Sequence, residues 1–261
     1  MTGLRMGPHD GGGTMGSSAG SLHRGARVQL LGRWRLSFID SDLAVPAGST
    51  QKLIALLALR GSLSRAQIWG TLWPEASTAH ASGRLRTAMW RLADSRLLLL
   101  DDDHGRMNLA PRVQVDVWDL YNAVAELAHG DADSSSAPAH PEISLFGADL
   151  LPDWDDEWLV TDRERIRQMR LHSLESLSAQ LVRERHFGAA VEAALAAVSV
   201  DPLRESAHRA VICAHLAEGN TAEALRQFHI CRTLYAQQLN AVPSRSLYSL
   251  VSEFLVPRPD T

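Results

Sequence analysis

Arg84, Arg86, Thr87, Trp90 and Arg91 fall within one stretch, AHASGRLRTAMWRLADSRL (residues 79–97), whose residue types suit hydrogen bonding to nucleic acid. A guanidinium is planar and donates two parallel hydrogen bonds, which matches both a guanine edge and a phosphate. On a helix, Arg84, Thr87 and Arg91 would form one row, with Arg86 and Trp90 towards the other side of the exposed face. Leu85, Met89 and Leu92 recur at i, i+4 and i+7 and give the same helix a buried stripe. A solvated surface helix carries the same pattern, so its surroundings must decide between the two. Trp90 fits two places: packed on a neighbouring hairpin, or laid along DNA sugars.

Other constellations point to chemistry less well. His208, Cys213 and His215 lie close in sequence, with His229 and Cys231 further on. A zinc site needs three or four convergent ligands, and core or surface histidines are the simpler reading. Asp153, Asp155, Asp156 and Glu157 cluster between Trp154 and Trp158. No nucleophile accompanies these carboxylates, so a helix start, where the dipole favours negative charge, is expected. The sequence has no G-x-x-x-x-G-K-[ST] loop, and Lys52 stands in GSTQKL. No cofactor, metal or enzymatic activity is expected.

The net charge of −4 looks unfavourable for a nucleic-acid binder, but its distribution is uneven. Residues 24–100 hold 11 basic and 4 acidic side chains, residues 101–130 hold 2 and 6, and residues 131–261 hold 12 and 19. A basic N-terminal module therefore precedes an acidic C-terminal one. Lys52 is the single lysine. No run of about 18 apolar residues exists, so no membrane span is expected. Two cysteines without a CxxC pair fit a reducing cytoplasm.

The elements that must position the arginines follow in order. Residues 1–23 are Gly- and Ser-rich and are expected to be a disordered tail. RVQLLGRWRLSFI (27–39) alternates around a glycine and reads as a strand pair, with a connecting turn over 40–49. QKLIALLALR (51–60) is an apolar helix stopped by Gly61. Ser62 to Ser64 cap a second helix over 65–72, ended by Trp73 and Pro74, with Trp69 and Trp73 expected in the core. The arginine-bearing helix follows. Residues 97–100 and 107–115 then read as two strands around a His104-Gly105 turn. Strands, three helices and a hairpin are the layout of a winged helix-turn-helix, whose third helix enters the major groove.

Asp116 is a good N-cap for a further helix with Val117, Leu120, Tyr121 and Val124 on its apolar face. Residues 130–141 read as a flexible loop. Beyond it the chain is helical and repeats: HFGAAVEAAL (186–195) and NTAEALRQFH (220–229) superpose at an offset of 34 residues. That offset aligns Val182 with Leu216, Ala190 with Ala224 and Val191 with Leu225. A period of 34 with alanine at the helix crossing is the tetratricopeptide (TPR) pattern. Pro202 and Pro243 close helix pairs. The expected fold is mainly α with small β: an N-terminal winged helix-turn-helix (24–113), an all-α TPR-like domain (114–256) and a short tail (257–261).

QLLGRWRL, QKLIALLALR, SRAQIWGTLWPEAS, GRLRTAMWRLADSRL and VQVDVWDLYNAV, with LLPDWDDEWLVTDRERIRQMRLHSLESL, DPLRESAHRAV and LNAVPSRSLYSLV, together resemble one family. It is the actinobacterial antibiotic regulatory proteins (SARP type), which join an OmpR-like winged helix to a bacterial transcriptional activation domain. The resemblance implies sequence-specific binding to double-stranded promoter DNA at direct repeats, as a homodimer. It also implies recruitment of RNA polymerase holoenzyme, often at secondary-metabolite gene clusters. It places DNA contacts on Arg84, Arg86, Thr87, Trp90 and Arg91, and a wing contact on Arg106. The chain departs from the family at Ala93, where an arginine is common, at Gly83 near the helix start, and at Asn240, which stands for glycine. Asp101, Asp102 and Asp103 would repel phosphate at the wing. The alternative is a TPR-like protein-interaction adaptor whose winged helix no longer binds DNA.

Overall fold

The computed structural model describes residues 25–38, 41–42, 48–92, 99–129 and 141–255. The N-terminal tail, Ala93 and most of the loop expected over 130–141 lie outside them.

Two small sheets frame three helices. Strands β1 (Ala26–Gln29), β2 (Arg35–Phe38) and β3 (Ser41–Asp42) form an antiparallel set. β1 and β2 are joined through Gly32 at φ 81°. β3 falls where the sequence reading placed only a turn; two residues are too few to show an alternation. Helix α1 (Ser49–Arg60) buries six consecutive residues from Leu53 to Ala58 and ends at Gly61, φ 70°. A helix apolar nearly all round must be enclosed by its neighbours, and α1 packs against α2, α3 and the wing.

A two-residue strand β4 (Leu63–Ser64) leads into α2 (Arg65–Leu72), where Ser64 and Gln67 form a reciprocal capping box. Trp69 and Trp73 are half-buried against the core instead of lying within it. Helix α3 (Thr78–Arg91) starts at Ser77, whose hydroxyl accepts the His80 N–H. β5 (Leu100–Asp103) and β6 (Arg106–Leu109) form the wing hairpin, with β6 between β5 and β4. His104 (φ 51°) and Gly105 (φ 79°) make its two-residue turn. The strands reach closer to that turn than the sequence suggested. β7 (Gln114–Val115) leaves the hairpin altogether and pairs parallel with β1, Val28 opposite Val115.

The C-terminal half is helical. α4 (Asp116–His129) precedes a short 3-10 turn (Ile143–Phe146) and a second one (Glu157–Leu159). α5 (Val160–Arg183), α6 (Phe187–Val200), α7 (Glu205–Glu218), α8 (Thr221–Gln238) and α9 (Arg245–Val251) then stack in order. Ala190, Ala193, Ala194 and Ala197 of α6, and Ala224 of α8, are fully buried. Small side chains let neighbouring helices approach, which explains why alanine recurs at the 34-residue offset. Asn240 takes φ 48° just beyond α8, the left-handed conformation that asparagine tolerates. Among the described residues, no helix is long and apolar enough to cross a membrane.

One hydrophobic cluster runs from Ala26 to Ala207 and joins both halves. The loop after Phe146 lies on the β1–β2 turn: Gly32 N donates to Asp149 O (2.7 Å), Leu151 N to Leu30 O (2.9 Å), and Trp34 stacks near Trp154 (5.8 Å). Arg170, 2% exposed, donates to Phe146 O at 2.7 Å and pairs with Asp149.

Candidate nucleic-acid interface

The third helix is divided cleanly between an inner and an outer face. Ala81, Leu85, Ala88, Met89 and Leu92 are buried, and Thr50 of α1 donates to Ala88 O at 3.4 Å. Arg84, Arg86, Thr87, Trp90 and Arg91 are all exposed, Trp90 to 79%. The helical spacing therefore brings the five sequence candidates onto one open face. Among the described residues, none of the three arginines pairs with a carboxylate. Thr87 Oγ1 donates to Gly83 O at 3.0 Å. Trp90 lies largely open to solvent.

Arg106 sits apart from that row, as the first residue of β6. Its Nε donates to Ser62 Oγ at 3.1 Å and its Nη2 to Ser62 O. The side chain thus holds the wing to the turn before α2 and keeps only part of its donor set for another acceptor. Arg65, at the start of α2, pairs with Asp102 of β5 at 2.9 Å. The acidic wing is therefore neutralised at one of its three aspartates, while Asp101 and Asp103 remain exposed. His104 contacts Asp103 at the tip. Sequence reasoning gave Ser62 only a capping role and Arg65 only a place in α2, because the partner of each lies about 40 residues away.

The motifs that carried the family resemblance hold the halves together. Lys52 of α1 pairs with Asp156 (2.5 Å), and Arg60 pairs with Asp162 (3.0 Å) while stacking over Trp158. Trp118 Nε1 donates to Ala58 O at 2.8 Å. The acidic cluster of residues 153–157 thus supplies more than a helix start: Asp156 receives the single lysine. In the DPLRE-containing segment, Asp201 caps Leu203 N and binds Arg167, and Arg204 grips Glu175 through two nitrogens (2.6 and 3.3 Å).

The histidine and cysteine candidates separate. His208 is fully buried, donating from Nε2 to Pro202 O and accepting from Gln227 at Nδ1, both at 2.8 Å. Cys213 is exposed and Cys231 buried, and burial pushes the Cys231 thiol up to about 11. The buried Cys231 thiol is thus held in the protonated form, the form that binds metal poorly. Among the described residues, no group of three or more metal-ligating side chains converges.

The described residues thus form a winged helix joined to a stack of helical hairpins. The model of the bacterial transcriptional activator domain matches residues 116–255, more than half of the chain. The protein belongs to that family. Among solved structures, it is similar to Mycobacterium tuberculosis EmbR, a structure determined in complex with a low-affinity phosphopeptide. The TM-score is 0.62 at 15% identity, covering 87% of this chain and 64% of that one. No curated protein sequence matches the chain.

Proposed function

We propose that this activator reads promoter DNA through α3, with residues 24–113 binding DNA and residues 142–255 making dimer and polymerase contacts. The observation that carries the reading is the state of the arginines. Arg60, Arg65 and Arg106 are engaged by protein groups, whereas Arg84, Arg86 and Arg91 stand exposed on one helix face. Seven residues of helix separate Arg84 from Arg91, about 10 Å along the axis, or roughly three base-pair steps. In this arrangement Arg86 and Arg91 reach base edges or phosphates, and Arg84 reaches the backbone. The Thr87 methyl meets a thymine methyl, Trp90 lies on the sugars, and Arg106 offers its remaining N–H groups to a phosphate. A single winged helix covers one half-site, so a homodimer on direct repeats would supply specificity. Recruitment of RNA polymerase holoenzyme at a secondary-metabolite gene cluster completes the reading.

Exposed Asp101 and Asp103 favour a second reading, an adaptor whose winged helix has lost DNA. Fluorescence anisotropy of the full chain on its own upstream duplex and on a scrambled duplex, across a salt series, separates the two. Tighter binding to the native duplex near physiological salt supports the activator reading. Equal binding to both duplexes, erased by salt, overturns it in favour of the adaptor.

A further inference from the structure

At the last described turn of the helical stack, α8, the loop after it and α9 enclose an apolar groove of about 510 Å³. Phe228, Arg232, Val242, Pro243, Arg245 and Tyr248 line it. Phe228 is its buried floor and meets the Tyr248 ring edge-on at 5.9 Å. Val242 is 80% exposed and Tyr248 51%. Ile230 of α8 and Leu239 just after it are also exposed. A helical array ordinarily closes with a polar outer face, because its last repeat has no neighbour to cover it. An open apolar end instead marks a surface that another chain covers.

The rim carries the information about that chain. Arg232 and Arg245 are exposed, and among the described residues neither has a carboxylate partner. This sets them apart from Arg163, Arg167, Arg170 and Arg204, which are all bound within the helical half. We propose that the groove docks an acidic amphipathic protein segment, with its apolar side chains against Phe228, Val242 and Tyr248 and its carboxylates on Arg232 and Arg245. Helix-in-groove recognition uses this division of labour. A second copy of this chain is disfavoured as the occupant. Symmetric pairing would set the two arginines of one copy against those of the other in an apolar surround.

The proposal does not depend on DNA reading by α3, and its test is run on the full chain. The probe is a fluorescein-labelled amphipathic helical peptide with Leu and Phe on one face and Glu on both flanks. A matched peptide carries Lys in place of Glu. The acidic peptide is expected to bind, and the basic one to bind at least about tenfold more weakly. The double variant Arg232→Glu, Arg245→Glu should reverse that order, and Val242→Glu should abolish binding of the acidic peptide. All three positions are solvent-facing, and circular dichroism with thermal melting confirms that the variants fold. Equal binding of both peptides, or an unchanged preference in the double variant, overturns the proposal. So does sedimentation showing a dimer that Val242→Glu dissociates, which would assign the groove to a second copy. Binding seen only when residues 256–261 are removed also overturns it, assigning the groove to that tail.

Discussion

The Asp116 carboxylate accepts the backbone N–H of Leu30 at 2.9 Å, across 86 positions of sequence. The same group takes the N–H of Leu31 at 2.8 Å and of Val117 at 2.8 Å. Expected as a helix cap, Asp116 also fastens the first helix of the activator half to the end of β1. β1 leaves the sheet at this point, so Leu30 and Leu31 need acceptors that no strand supplies. The aspartate substitutes for a neighbouring strand and fixes how the winged helix sits on the helical stack.

Asp116→Ala strands these buried amides. Each unmet buried donor costs about 1–3 kcal/mol, so a loss of about 2–4 kcal/mol is expected in urea unfolding. A loss below about 0.5 kcal/mol would mean that water replaces the carboxylate.

The same group sets a pH dependence. Burial pushes the Asp116 carboxyl above its ordinary 3.8, against the downward pull of three backbone N–H donors and Arg27. The folded chain therefore holds this proton more tightly than the unfolded chain. The stability it contributes is complete below the unfolded value and declines as pH rises through the raised native value. Urea unfolding of wild type and Asp116→Asn between about pH 3.5 and 6 should show the wild-type advantage shrinking as pH rises. An advantage that grows with pH would reverse the assignment.

On DNA, Arg91→Ala should cost about 1–3 kcal/mol and relax preference at one base pair if the residue reads a base edge. Arg84→Ala should lower the slope of log K against log salt by about one. The anisotropy salt series measures both. Unchanged binding in both variants removes α3 from the interface.

The Arg65–Asp102 pair is half exposed, so its loss should move stability by no more than about 1 kcal/mol. Its effect on DNA should be larger in kind. Arg65→Ala leaves the wing with an unpaired Asp102 and should weaken binding, and Asp102→Asn added to it should restore part of the loss. A double-mutant cycle with no coupling would show that the wing does not approach phosphate.

At the helix crossings, Ala190→Leu adds three carbons where no space exists. Overpacking of this kind costs about 1–3 kcal/mol. Ala189→Leu, half-buried on the same helix, should cost less. Comparing their melting temperatures checks the assignment, and equal costs would place the crossing elsewhere.

Local order was readable from the residues alone. The period of 3.6 in Leu85, Met89 and Leu92 separates the buried face of α3 from its arginines, because side-chain direction on a helix depends only on position. The same is true of the Ser64 cap, the His104-Gly105 turn and the 34-residue repeat that puts Ala190 and Ala224 at crossings. Each is a rule that acts within a few residues or restates itself at a fixed interval.

What only the tertiary structure decided is which distant groups meet. Two-residue strands such as β3, β4 and β7 have no alternation to read; their pairing depends on where loops bring the chain. Arg106 is placed on the wing by sequence, but only the return of β6 beside β4 brings it to Ser62. Lys52 meets Asp156 across 104 residues, and Asp116 meets Leu30 across 86. A charge or an unpaired amide is visible in sequence, but its partner is not. Electrostatic and hydrogen-bond partners are chosen by distance in space, and that distance exists only once the core has closed.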